Sequence, residues 1–416
     1  MIYKNILIFI LGTSLCGCSY YPIKGSSNNT FEPIIVKQMD NNYNNTNLYE
    51  SLLVVDVLYI SEVLDNGLSK TNLTTGELLW RNSEVDPSTN PALWEGFIVS
   101  LVYTVYEEEQ DYNLYFTDQN TGEIIYKFRF KDMMDNPEVG LNGYWSVIHN
   151  NKLYFSTCDT SNSFSDEAIK LSMVDISELD FTNSEPDAIV PEVILQGSRL
   201  DSLFRTQPLF NVDGMYILSG GAGSSIPEDQ EVTETSDYHQ SDIKLYALDN
   251  EYNKLWERGF EYAGWVGANA YHLQFYDEDY LYLATSDGAA LIDKNTGTII
   301  YERVGNYSSN YTTIDGEYGY STIYGFLKCV HIPTGDIIWN DEIKYTRDCK
   351  PVVYGNKLYV VDSDALRVYN KKTGQLLGKN EDLGVPGYRW QGYMPYNNDI
   401  LHILQTEKIV SIRMED

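Results

Sequence analysis

The chain has 416 residues, 43% of them hydrophobic and 13% aromatic, with a formal net charge of −31. That content supports a large core and excludes a disordered chain. So acidic a surface repels phosphates, which excludes nucleic acid as a partner and disfavours anionic lipid head groups.

Residues 1–17 read as an export signal. Lys4 gives a short positive start, Ile6 to Leu11 an apolar run, and small residues follow. The run is too short to span a bilayer, and no other stretch approaches the ~18 apolar residues that a span requires. It ends in Leu15-Cys16-Gly17-Cys18, which resembles the lipobox of bacterial lipoproteins. The resemblance implies cleavage before Cys18, with lipid on its thiol and its new amino group. An ordinary secretory signal with a chance cysteine is the alternative. Several acyl chains would hold the protein at a membrane firmly, since each buried methylene contributes roughly 0.8 kcal/mol. Ser19 follows, where lipoproteins kept in the inner membrane often carry Asp, so the resemblance favours the outer membrane of a Gram-negative envelope. Residues 18–30 are polar and turn-forming, and read as a flexible tether. Cys158, Cys329 and Cys349 remain, an odd number without a Cys-x-x-Cys, so disulfides do not frame the fold.

Residues 31–416 read as one all-β domain. Short alternating runs rich in Tyr, Val, Leu and Ile are separated by Asn, Asp and Gly pairs, with no sustained helical period. One signature recurs: an Asp or Asn, then Thr-Gly, an apolar pair and an aromatic residue. It is Asn72…Thr75-Gly76 to Trp80, Asp118…Thr121-Gly122 to Tyr126, Asp293…Thr296-Gly297 to Tyr301, Thr334-Gly335 to Trp339, and Asn370…Thr373-Gly374. Repetition at tens of residues marks stacked supersecondary units. The Gly is expected in the left-handed conformation, the Asp or Asn bonded back into the loop, and the aromatic packed between neighbouring units. The fourth unit is one residue shorter, with Asn253 expected as its left-handed residue. The third lacks the signature around Asp175 to Leu179. Gly378 stands at the aromatic position of the seventh, and His331 at the Asp position of the sixth.

A second landmark gives the count. Tight polar turns precede apolar–Tyr pairs at Asn150-Asn151, Asp213-Gly214, Glu278-Asp279, Asp315-Gly316 and Gly355-Asn356, with looser matches at Leu58-Tyr59, Val102-Tyr103 and Leu401-His402. Eight landmarks over 31–416 leave room for four short strands each, the content of a propeller blade, and favour eight blades over seven. The last unit lacks a fourth strand. Phe31 to Val36 is expected to supply it, closing an eight-bladed β-propeller with the N-terminal strand in the last blade.

The Asp-x-x-Thr-Gly-x-x-x-Trp repeat resembles that of pyrroloquinoline-quinone-like propellers, the fold of quinoprotein dehydrogenases and of BamB-like outer-membrane lipoproteins. The resemblance covers nearly all of the mature chain and is specific for fold but poor for activity. The dehydrogenases are usually longer, and many carry a vicinal disulfide beside the cofactor; this chain has neither. Trp80, Trp256 and Trp339 fall at the repeat position and read as structural. Trp94, Trp145, Trp265 and Trp390 lie nearer blade starts, where they pack in the core or stack on a ligand. His149, His239, His272, His331 and His402 show no metal-ligand spacing, and Asp277-Glu278-Asp279 and Asp362-Ser363-Asp364 look like calcium fragments in hairpin turns. No catalytic, cofactor or metal site is expected, and the chain is not expected to be an enzyme.

Loops joining strands two and three are expected to be long and acidic in blades two to four. They carry Glu107, Glu108 and Glu109, then Asp166 and Glu167, then Glu228, Asp229, Glu231, Glu234 and Asp237. Equivalent loops leave the same face, so they read either as solvated loops or as an acidic rim for a basic partner. The leading expectation is a lipid-anchored protein-interaction scaffold with a periplasmic or outer-membrane protein partner. A glycan- or peptide-binding lipoprotein using exposed members of the 35 Tyr is the alternative, and a quinone-dependent oxidoreductase comes last.

Overall fold

The computed structural model describes residues 34–40, 50–54, 57–62, 67–75, 77–106, 109–130, 139–159, 169–183, 188–197, 208–219, 243–260, 271–285, 288–304, 312–323, 325–344, 350–384, 396–397, 399–405 and 408–416. These form eight four-stranded antiparallel sheets. Two compact units contain them. The unit including Thr46–Pro208 holds sheets 1 to 3, over 50–82, 92–129 and 139–197. The unit including Leu209–Asp416 holds sheets 4 to 7, over 209–260, 271–304, 312–342 and 352–380, and sheet 8.

Sheet 8 takes its outer strand from the other end of the sequence. Strand β1 (Ile34–Asp40) pairs antiparallel with Lys408–Arg413, from Ile34 opposite Arg413 to Asp40 opposite Lys408. Of the expected strand Phe31 to Val36, Ile34 to Val36 lie in β1, which continues to Asp40, and residues 31–33 lie outside the described residues.

Each Thr-Gly turn is organised by its first residue. Asp118 Oδ1 accepts from the N–H groups of Asn120 and Thr121, both at 2.8 Å, and Asp293 Oδ1 from Asn295 and Thr296 at 3.0 and 2.8 Å. Asn370 does the same with Lys372 and Thr373, both at 3.1 Å. In the sixth sheet His331 Nδ1 contacts Thr334 Oγ1 at 2.9 Å in place of the carboxylate. Gly122, Gly297, Gly335 and Gly374 have φ of 76°, 66°, 74° and 68°, backbone that costs a residue with a Cβ roughly 1–2 kcal/mol. The short turn of sheet 4 departs from expectation. Tyr252 (φ 64°), not Asn253, takes the left-handed conformation, because Asn253 donates both its backbone and side-chain N–H to Asp249.

The glycine also leaves space for the preceding sheet. A Cβ on Gly122, Gly297 or Gly374 would stand 2.6 Å from the ring of Trp80, Trp256 or Trp339, and one on Gly335 the same distance from Tyr301. The indole N–H groups of the three Trp residues donate to Gln119 O, Lys294 O and Lys371 O at 3.1, 3.0 and 3.1 Å. The residue two beyond the aromatic adds a bond: Asn82 Nδ2 to Gly122 O at 2.7 Å, Arg258 Nε to Gly297 O at 2.6 Å, and an Arg303 guanidinium nitrogen to Thr334 O at 2.9 Å. Shared apolar clusters fill the rest of these interfaces, such as Tyr59, Leu68 and Trp80 with Ile98, Val102 and Tyr115.

A bulge aims the aromatic. In sheet 1 Lys70 lies opposite Trp80 and Thr71 opposite Leu78, so Leu79 is the extra residue; sheets 2, 4, 5, 6 and 7 repeat this. The bulged residues are exposed, Leu79 by 41%, Ile125 by 44% and Leu255 by 59%. In sheets 2, 5 and 7 the bulged residue is the more exposed of its pair, since an inserted residue flips the alternation of the strand, while in sheets 1 and 6 both members are exposed.

Gly374→Ala and Gly316→Ala separate backbone from dock. Both glycines are left-handed, but a Cβ at Gly316 meets nothing within 4 Å. The Gly316 variant should lose about 1–2 kcal/mol of stability, and the Gly374 variant a further 1–3 kcal/mol because the Trp339 ring must move; denaturant melts of both check this. The Asp118 and Asp293 carboxyls are held below the ordinary 3.8, above all by the N–H groups of Thr121 and Thr296. Their contribution is complete above the ordinary value and is lost as pH falls through the lower folded one. Melting temperature should therefore fall below about pH 4, and Asp→Asn at both sites should flatten that fall.

Candidate functional site

Most of the expected acidic docking residues, Glu107, Glu108, Asp166, Glu167, Glu228, Asp229, Glu231, Glu234 and Asp237, lie outside the described residues, as does Cys18. Glu109 is described, and it is not in a loop: Phe97–Tyr106 and Glu109–Asp118 are ten-residue strands with Tyr106 opposite Glu109. The long acidic loop expected in sheet 2 is therefore a long hairpin with two residues between its strands. The turn that starts this hairpin is Glu95-Gly96, with φ of 44° and 92°, upstream of the Val102-Tyr103 landmark.

Several residues singled out for chemistry hold structure. Trp94 donates its indole N–H to Asn151 Oδ1 at 3.0 Å and stacks on Phe181, and Trp145 is buried. Trp265 and Trp390 lie outside the described residues. Asp277 Oδ1 accepts from Asp279 and Tyr280 N–H within its turn. Asp362 is buried. Its Oδ1 accepts from the N–H groups of Asp364 and Ala365 at 2.8 and 2.7 Å, and its Oδ2 from Lys344 N–H at 3.0 Å and Arg367 Nε at 2.5 Å. Four donors occupy the carboxylate that looked like a calcium fragment, and Lys344 belongs to the preceding sheet's end. Cys329 is a buried free thiol pushed up to about 12 by burial, an unreactive state. His402 Nδ1 lies 2.8 Å from Ser411 Oγ inside sheet 8. Among the described residues no group of three or more His, Cys, Asp or Glu is placed to hold a metal ion.

The site lies where the repeat breaks. Strand β12 (Ile169–Asp175), counted in chain order, ends sheet 3's third position, and its outer strand is β13 (Glu192–Gly197). No Thr-Gly turn joins them. Asp175 instead caps a 3-10 turn at Ile176–Glu178, accepting from Ser177 N–H at 3.0 Å and Ser177 Oγ–H at 2.6 Å. Asp180 Oδ1 accepts from Thr182 Oγ–H at 2.6 Å and N–H at 2.9 Å, bonds that hold its carboxyl below the ordinary value. Within the second of these caps the chain sends Phe181 back toward sheet 2. There it meets Tyr126 at 4.8 Å, Phe116 at 5.1 Å and Phe128 at 5.5 Å between ring centroids. Sheet 2's aromatic thus meets another ring where the other sheets offer glycine. Further on, Ile189 donates its N–H to Arg129 O at 2.7 Å and bridges Phe130 in parallel, beside the outer strand of sheet 2.

These excursions frame a groove of about 420 Å³. Phe128, Met173, Val174, Leu179, Ile189 and Val190 give it apolar walls, and Asp175, Glu178, Asp180 and Glu192 an acidic rim, with no Lys or Arg among its lining residues. The volume is in the range of ligand sites, roughly 300–1,000 Å³. The missing signature near Asp175 to Leu179 marked this place in the sequence, and the 16 residues between Asp175 and Glu192 were the further sign of an insertion.

Repeated four-stranded antiparallel sheets, docked in succession within each unit, define the class: an all-β, propeller-type fold. The sequence matches no known family model and no curated protein. Solved propellers are similar to it. BamB from Moraxella catarrhalis aligns at TM-score 0.59 and 15% identity over 92% of this chain and 100% of its own. The quinohemoprotein alcohol dehydrogenase of Comamonas testosteroni aligns at 0.58 and 10%, over 92% and 77%. Saccharomyces cerevisiae Sqt1 aligns at 0.58 and 9%, over 94% and 100%. At these identities the likeness extends to the fold alone.

Asp362→Ala should be among the most destabilising single changes, by about 3–5 kcal/mol, because it leaves the Arg367 guanidinium buried without its partner. An Asp362→Leu/Arg367→Leu pair should lose less than Asp362→Ala alone. Denaturant melts of the three chains test whether the carboxylate's role is this pairing.

Proposed function

We propose that the chain is a non-enzymatic, lipid-anchored envelope protein whose propeller is a scaffold for protein partners, as a BamB-like lipoprotein. In this reading the eight sheets are eight blades of a single domain over 31–416, and β1 closes the last of them. Cys18 carries the lipid, residues 18–30 tether the domain, and the outer membrane of a Gram-negative cell is the address. The observation that carries the reading is the groove of sheet 3. Where the repeat departs from its docking turn, the chain forms an apolar, acid-rimmed surface suited to recognition. Similarity of fold to BamB supports it further. The pairing of β1 with Lys408–Arg413 supports closure, because it brings the tether's far end into the last sheet.

Expression of the full chain in a Gram-negative host tests anchor and partner together. Wild type should fractionate with outer membranes and Cys18→Ala should be soluble; a membrane-bound Cys18→Ala chain would remove the anchor. In-cell cross-linking of wild type should recover a defined envelope protein, and a chain recovered alone would remove the scaffold.

A further inference from the structure

We infer that the sheet 3 groove binds an extended polypeptide segment carrying Lys or Arg beside apolar side chains. This rests on the scaffold reading for its setting and on the groove itself for its chemistry. Three observations select the partner. The first is charge. Asp175, Glu178, Asp180 and Glu192 surround an apolar floor with no cation among the lining residues, on a protein of net charge −31. A cation is drawn there, and an anionic or neutral polar ligand is not.

The second is the strand edge. Strand β13 is the last in its sheet among the described residues, the position at which an extended segment adds to a sheet. Most other outer strands carry cations that discourage such pairing: Arg81 in sheet 1, Lys127 and Arg129 in sheet 2, Lys254 and Arg258 in sheet 4, Arg303 in sheet 5, Lys379 in sheet 7 and Lys37 in sheet 8; that of sheet 6, Asp336–Glu342, carries none. β13, with the sequence EVILQG, carries none.

The third is exposed apolar surface. Val190 and Val193, on either side of Glu192, are 60% and 43% exposed. A compact ligand within the groove would leave Val193 uncovered. An extended segment reaches both, setting apolar side chains against Leu179 and Val190 and basic ones against Glu178 and Glu192. Alternation along a strand supplies this arrangement, apolar on one face and basic on the other.

Fluorescently labelled peptides and the purified chain, without membranes, provide the test by anisotropy at low salt. The probes are alternating Lys-Leu, Lys-Ser and Glu-Leu hexapeptides. The Lys-Leu peptide should bind, and the other two at least tenfold more weakly. Glu178→Lys/Glu192→Lys should weaken Lys-Leu binding at least tenfold, and Val190→Ser severalfold. Glu77→Lys/Glu123→Lys, an equal charge reversal on exposed turns of sheets 1 and 2, should change it less than twofold. All three changes are at exposed positions, and a matched melting temperature verifies the fold. The proposal is overturned if no peptide binds, if Lys-Ser binds as well as Lys-Leu, or if both charge reversals weaken binding equally. Any of these with envelope cross-links intact removes the groove and keeps the scaffold; peptide binding without cross-links does the reverse.

Discussion

A ring lying on a glycine joins one sheet to the next. An Asp or Asn side chain gathers the N–H groups of the turn, the turn places Gly122, Gly297, Gly335 or Gly374 in left-handed backbone, and the absent Cβ admits Trp80, Trp256, Tyr301 or Trp339. An aromatic side chain buries about 150–250 Å², worth on the order of 4–6 kcal/mol as an upper figure. The three indole N–H bonds then fix the ring's orientation without leaving a buried donor. The chain of dependence runs from capping residue to φ to ring, and each link is local. That is why a five-residue turn can determine how two sheets meet.

The interfaces that lack the dock show what it supplies. Between sheets 7 and 8, Gly378 leaves no ring, and polar bonds to the last residues take over. Tyr359 Oη donates to Glu415 O and accepts from Glu415 N–H, both at 3.0 Å, and Asn356 N–H donates to Asp416 Oδ1 at 3.2 Å. Gln405 Nε2 adds bonds to Asp382 O and Gly384 O. Between sheets 2 and 3 an aromatic cluster around Phe181 serves instead. Sheets 7 and 8 thus share an apolar cluster, Val361, Leu366 and Val368 with Leu401, Ile403 and Val410, to which these hydrogen bonds are added, whereas sheets 2 and 3 are joined by edge-to-face rings.

Legibility in the sequence follows the range of the physics. Turns are made by neighbours, so the Thr-Gly signatures and the Asn150-Asn151 and Asp315-Gly316 hairpins could be read from the residues. Packing of the repeat aromatics could be read too, because one spacing recurred. The bulge at Leu79 and its counterparts could not: two apolar residues in a row look alike until the register with the third strand leaves one of them without a partner. The left-handed Tyr252 is hidden for a similar reason, since φ there depends on which N–H groups Asp249 collects. The start of β1 is set by a strand some 370 residues away along the sequence. The groove needs Phe128, Leu179 and Ile189 brought together from two sheets, and no local pattern announces that.

Because each dock involves only consecutive sheets, altering one turn disturbs one interface. Stability in such a repeat is nearly a sum of units and nearest-neighbour terms. Sheet 3 could therefore exchange its turn for 16 residues at the expense of a single junction, which Phe181 and Trp94 repair with ring packing. The residues with chemical character inside the sheets, Asp362 and Cys329 among them, are buried and held by their neighbours, so altering them would disturb the frame itself. Where sheet 3 departs from the repeat, by contrast, the exposed Val190 lies beside the carboxylates of Glu178, Asp180 and Glu192 at the groove's rim.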